Sequence, residues 1–110
     1  MRIVEEEFGS TEWLKISDPT AVTLATRKQA PSSTPFNGGE GIWYHSGIIY
    51  FSTKGDNRVW GYETISGMLN IIYDQNFSGT PILSGVDNLA VSPGGDTLVA
   101  EDGGDLEIVV

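Results

Sequence analysis

Two short segments of this sequence set oxygen-bearing side chains beside glycines in matching surroundings. Gly38-Gly39-Glu40-Gly41 runs into Ile42-Trp43-Tyr44, and Gly85-Val86-Asp87-Asn88 runs into Leu89-Ala90-Val91. Carboxylates and amides are hard oxygen donors, the ligands that Ca²⁺ and similar cations take. If the fold brings Glu40, Asp87 and Asn88 to one point, they supply the start of a cation site. Glu101 and Asp102, followed by Gly103-Gly104, add two carboxylates at a turn where glycine lets backbone approach a ligand closely. Asp56, Asp96 and Asp105, also beside turn residues, read as solvated turn acids.

Arg58 and Lys54 are the cationic candidates for orienting an anionic group such as a phosphate, with Arg58 as the substrate-binding candidate. Surface charge, or pairing with a neighbouring acid, is the default role of both. His45 is the single histidine and lies in a turn, and the chain has no cysteine. A serine or cysteine triad therefore has little to work with, and metal-assisted chemistry is the enzymatic class these residues support. The missing cysteine also excludes disulfides, zinc-thiolate sites and iron–sulfur clusters within these residues.

Charge narrows the partners. With 15 acidic against 6 basic residues the net charge is −9, so most of the surface repels a phosphate backbone and no nucleic acid is expected. No run approaches the ~20 apolar residues of a membrane span, and Met1-Arg2-Ile3-Val4-Glu5-Glu6-Glu7 lacks the apolar core of a signal peptide. No membrane partner is expected, and the compartment stays open.

The elements that must position the acids are strands. Gly41–Tyr44, the turn His45-Ser46-Gly47 and Ile48–Thr53 read as a hairpin. Lys54-Gly55-Asp56-Asn57 turns the chain into Arg58–Glu63, and Thr64–Met68 turns it into Leu69–Asp74. Four short strands in succession make a meander. A second unit of similar plan follows: Val86–Val91, the turn Ser92-Pro93-Gly94-Gly95-Asp96, Thr97–Ala100, and Leu106–Val110. Glu40-Gly41 falls on Asp87-Asn88 at an offset of 47 residues, and Phe51–Lys54 falls near Val99–Asp102.

That period and composition predict an all-β chain, a β-propeller fragment of about two antiparallel, four-stranded blades. The predicted organisation is an N-terminal segment over 1–39, a first blade over 40–76 and a partial second blade over 77–110. The first 39 residues are heterogeneous, with a predicted short strand at Ala21–Ala25 and a loop over Gln29–Gly39 that links blades or borders the site. Trp43, Tyr44, Trp60 and Tyr62 sit where alternation buries some of them between blades. The innermost strand of a blade lines the central channel, so Glu40 and Asp87 at the starts of such strands would face the channel mouth. Open blade edges also leave room for self-association.

The ordered series Gly39-Glu40-Gly41-Ile42-Trp43-Tyr44, Ile48-Ile49-Tyr50-Phe51 and Arg58-Val59-Trp60 resembles the alkaline phosphatase X family. Gly85–Ser92 and Ala100–Gly104 continue that resemblance in the same order, so that it covers roughly residues 38–110. The resemblance implies a β-propeller hydrolase that cleaves phosphate monoesters with Ca²⁺, and iron in the best-known members, in proteins that are often exported. By position it makes Glu40, Asp87 and Glu101 metal ligands, with Asn88 and Asp102 beside them. The family's iron-bound cysteine has no counterpart here. A gluconolactonase-like lactone hydrolase, holding one divalent cation on Glu, Asn and Asp, is the alternative enzymatic reading, and a non-enzymatic propeller binding module is the third.

Overall fold

The computed structural model describes residues 1–3, 8–77, 85–102 and 108–110. Nine strands are defined among them: β1 (Arg2–Ile3), β2 (Gly9–Glu12), β3 (Gly39–His45), β4 (Ile48–Thr53), β5 (Arg58–Glu63), β6 (Met68–Asp74), β7 (Val86–Val91), β8 (Thr97–Glu101) and β9 (Ile108–Val109). Among the described residues helix is confined to one turn, α1 (Thr26–Gln29), and to the 3-10 turn Gln75–Phe77. The chain is all-β, and every pairing is antiparallel. The strands form an open six-stranded sheet, ordered β1-β2-β6-β5-β4-β3, and a three-stranded sheet, ordered β7-β8-β9. The predicted strand Leu106–Val110 is seen from Ile108 onward, because 103–107 lie outside the described residues.

Local chemistry fixes the hairpins. Between β3 and β4, Ser46 and Gly47 take φ values of 48° and 84°, and His45 pairs with Ile48. Two successive positive φ angles define the type I′ turn, whose twist matches that of paired strands. The connection is therefore two residues, one fewer than the sequence reading gave. Along β5 the side chains alternate, with Val59 facing the second sheet and Trp60 and Tyr62 facing the opposite way.

Each face of the large sheet has its own core. Between the sheets, Val59, Val86, Leu89 and Val99 are buried, with Tyr50, Tyr73 and Val109 packed against them. On the other face, Ile3, Trp60, Tyr62 and Leu69 are buried beneath a cover from the N-terminal segment. Phe36 stands edge-on to Phe51 and Trp60, with ring centroids 5.2 and 5.3 Å apart, and the Trp13 indole donates a hydrogen bond to the Tyr62 hydroxyl at 2.9 Å. Trp60 and Tyr62 are thus buried under the chain's own beginning and not between the sheets. Trp43 and Tyr44, on the free edge strand β3, remain 45% and 64% exposed.

In residues 1–39 the structure adds two strands and corrects one expectation. Gly9 and Ser10 pair with Leu69 and Met68, so β2 extends the four-stranded meander and β1 extends it again. The predicted strand Ala21–Ala25 is a loop. The Asp18 carboxylate accepts hydrogen bonds from the Thr20 and Val22 amides at 3.1 and 3.0 Å, and Ala21 takes a φ of 55°. The Gln29 amide then closes the loop, donating to the Asp18 and Leu24 carbonyls at 2.8 and 2.7 Å. Those bonds offer the backbone an alternative to a ladder that β-propensity alone does not foresee. The hydroxyl of Thr20, followed by the amides, holds the Asp18 carboxyl below its ordinary value.

Candidate functional site

The candidate acids sit on two copies of one backbone device. In the β3–β4 ladder the register passes from Gly39↔Thr53 to Ile42↔Phe51, and in the β7–β8 ladder from Val86↔Glu101 to Leu89↔Val99. In both, the first strand carries one extra residue between these pairings, which is a β-bulge. Glu40-Gly41 occupies the first bulge and Asp87-Asn88 the second. The glycine ahead of each takes a left-handed conformation, Gly38 at φ 71° and Gly85 at φ 69°. Their carbonyls accept from the equivalent turn amides, Lys54 at 2.7 Å and Asp102 at 2.8 Å. The repeat inferred from sequence is a repeat of backbone geometry.

The bulges abut through Gly41. A Cβ at that position would lie 2.7 Å from the Leu89 nitrogen and 2.8 Å from the Asn88 Cα, so only glycine admits the approach. The Ser52 hydroxyl, fully buried, accepts from the Gly41 amide at 2.9 Å and donates to the Asp87 carbonyl. A second clamp comes from Asn57, at φ 51°, whose side-chain oxygen accepts from the Gly85 and Val86 amides at 2.6 and 3.2 Å. Together they hold the start of β7 against the first sheet.

Lys54 stands among the acids that this arrangement collects. Its ammonium donates to Asp102, and Asp87 and Glu40 act on it electrostatically. The hydrogen bond to Asp102 is the main cause that raises the Lys54 pKa above its ordinary 10.5. Both partners are partly exposed, at 37% and 51%, so water screens the pair. Glu40 and Asn88 are exposed, and the Asn88 side-chain oxygen lies 2.9 Å from the Leu89 amide, which donates to it. Glu101 is half-buried opposite Val86 in the ladder. Among the described residues no three carboxylate, histidine or cysteine groups converge as a ready metal cage. The positive charge found among Glu40, Asp87 and Asp102 is the lysine's own.

Arg58 belongs to a different place. Its Nε donates to Asp74 at 2.7 Å, its Nη1 lies 3.6 Å from Asp56, and its guanidinium sits 5.5 Å from the Trp60 ring centroid. The Asp74 side chain is 4% exposed, so Arg58 neutralises a buried carboxylate. It also lines an open cleft of about 260 Å³ with Ile3, Phe36, Asp56 and Trp60, away from the bulges. His45 ends β3 and is half-buried.

Sequence reasoning missed Ser52 and Asn57 as the residues that join the two units, and Lys54 as the centre of the acids. Only the last left a signal. Laying one unit on the other sets Lys54 against Asp102, opposite charges at equivalent positions. No protein-family model matches this sequence, and no curated protein matches it.

Proposed function

We propose that the chain is part of a β-propeller of the alkaline phosphatase X type, with the two sheets as neighbouring blades and β3 and β7 as their innermost strands. The observation that carries this reading is the repeated bulge, which sets Glu40 and Asp87 at equivalent positions and joins them through Gly41 and Ser52. The contact between β3 and β7 supports the same arrangement. Glu40, Asp87 and Asn88, with Asp102 and Glu101 beside them, are hard oxygen donors of the kind Ca²⁺ takes. The donor set fits the ion once Asp102 releases Lys54, and further oxygens come from other blades or from water. Bound there, Ca²⁺ supplies charge stabilisation for a phosphoryl group, and the complete protein hydrolyses a phosphate monoester. Lys54, released from Asp102, presents its ammonium to the anionic substrate. A lactone in place of the phosphate ester uses the same cation and is separated from it by substrate alone.

Calcium titration by isothermal calorimetry tests the reading. Glu40→Gln is expected to abolish the binding seen with the parent chain, and Asp87→Asn to weaken it at least tenfold. Unchanged binding in both variants, or no binding by the parent, overturns the site. Turnover of a phosphate monoester and of a sugar lactone by the complete protein then decides between the two hydrolases.

A further inference from the structure

The sequence holds five asparagines, Asn37, Asn57, Asn70, Asn76 and Asn88, and the fold leaves one of them open to chemistry by its own backbone. An asparagine side chain is lost when the amide nitrogen of the next residue attacks its Cγ. That attack needs a nitrogen not engaged elsewhere and a following residue with no side chain in the way, which means glycine. The Asn57 side-chain oxygen is occupied by the Gly85 and Val86 amides. In Asn88 the nitrogen that would attack, that of Leu89, donates instead to the side-chain oxygen at 2.9 Å. Asn70 lies within β6 ahead of β-branched Ile71, and Asn76 precedes Phe77. Asn37 is the one asparagine followed by glycine. Both Asn37 and Gly38 are exposed, and among the described residues neither the Asn37 side chain nor the Gly38 amide has a hydrogen-bond partner.

We propose that Asn37 is a modification site, deamidating through a cyclic imide with Gly38, and that the isoaspartyl product unfastens the start of β3. The Gly38 nitrogen bonds to Asn37 Cγ, the Cγ–Nδ2 bond breaks, and the displaced nitrogen leaves as ammonia with the proton that Gly38 gave up. Water then opens the ring at one of two bonds. Cleaving the new Cγ–N bond restores the main chain and leaves aspartate. Cleaving the bond between the Asn37 main-chain carbonyl carbon and the Gly38 nitrogen leaves isoaspartate, whose chain runs through Cβ and Cγ and is longer by one carbon. Either product adds a negative charge on the segment that leads to Glu40. The longer one also removes a fastening. The Asn37 carbonyl accepts from the Gly55 amide at 2.9 Å and the Gly38 carbonyl from the Lys54 amide at 2.7 Å, and the Asn37 side chain fills the place a Cβ on Gly55 would take. In isoaspartate that Asn37 carbonyl becomes a pendant carboxylate, and the chain entering the first bulge is too long for its bonds to the turn.

The inference stands on the Asn37-Gly38 pair and not on the calcium reading. The folded chain is incubated at body temperature and mildly alkaline pH, where the attacking nitrogen gives up its proton more readily, and is then cut with trypsin. The peptide over 29–54 contains Asn37 as its sole asparagine. It is expected to gain the mass that exchange of an amide for a carboxyl brings, before any other peptide does, and to be labelled by an isoaspartyl methyltransferase. Gly38→Ala is expected to slow the gain at least tenfold. Should the positive φ of Gly38 keep that variant from folding, Asn37→Gln, at an exposed side chain whose ring would need one more atom, makes the same test. Separated by chromatography, the isoaspartyl fraction is expected to melt below the parent, while Asn37→Asp, which carries the charge without the longer chain, melts close to it. An unchanged peptide, an earlier gain at another asparagine, a gain as fast in the variants as in the parent, or an isoaspartyl fraction as stable as the parent overturns the proposal, whatever the outcome of the calcium titration.

Discussion

The outer face of the first sheet and the core between the two sheets use different materials for the same task. The former stacks Phe51 on Trp60 with 7° between their planes and closes them with Phe36, while the fully buried residues of the latter are aliphatic, Val59, Val86, Leu89 and Val99, with Tyr50 and Tyr73 only partly buried against them. Aromatic residues bury more area each and hold specific ring geometry, so they stabilise a cover made only of short N-terminal strands and loop. The inter-sheet core needs less, because Ser52, Asn57 and the Gly41 contact already align the partners. Where polar clamps and close backbone approach fix the position, small side chains suffice.

The largest test of that contrast is Trp60→Ala. Its loss is expected to cost about 3–5 kcal/mol, a large share of a small domain's stability, against about 1.5–3 kcal/mol for Val99→Ala. Thermal melting of the two variants measures both. Equal losses would mean that the two cores carry the fold alike.

Gly41→Ala is expected to destabilise by about 1–3 kcal/mol, because the atoms the new methyl meets are backbone atoms of β7 that cannot rotate away. Gly39→Ala, two residues earlier on the same strand, meets nothing within 4 Å and is expected to be neutral. Denaturant midpoints of this pair sharpen the claim that the bulges are held by close approach and not by loss of flexibility.

Lys54→Met is expected to move the melting temperature less than Trp60→Ala, Val99→Ala or Gly41→Ala, since its ion pair is partly exposed. The sign follows from the raised pKa: the folded chain holds the lysine proton more tightly than the unfolded one, so the pair stabilises below pH 10.5 and loses its effect as pH rises beyond that value. Melting temperatures of parent and variant should therefore differ at neutral pH and converge in strong alkali.

Much of this was legible in the residues. Alternation and turn chemistry placed β3 to β8 within a residue or two, because a strand with one buried face writes its period into the sequence. The offset between Glu40 and Asp87 also laid the two residue pairs that occupy the bulges on each other, although the bulges themselves were not legible. The pairing of Gly9 and Ser10 with β6 was not legible, since neither residue has β-propensity and the pairing is decided by a free edge nearly 60 residues away. The loop at Ala21–Ala25 read as a strand because a carboxylate three residues earlier and the amide of Gln29 take its backbone donors and acceptors. Arg58 read as the substrate-binding candidate, with surface charge or pairing to a neighbouring acid as its default, and which acid it pairs with was not legible because nothing in its neighbours revealed that Asp74 is buried behind it.

The extra residue in each bulge has a consequence for phase. In a regular strand Gly39 and Ile42, three positions apart, would point to opposite sides of the sheet, as would Val86 and Leu89; the bulge keeps each pair on one side. The insertion resets the alternation, so that each strand enters with one parity and leaves with the other. Deleting Glu40 would remove a charge and the bulge with it, leaving Gly39 and Ile42 two positions apart on one side of a regular strand, as their pairings with Thr53 and Phe51 require, so Trp43 would keep its face. Length at this point is as much a coded quantity as residue type: the added residue re-aims the strand where the acids sit and leaves the faces on either side as they were.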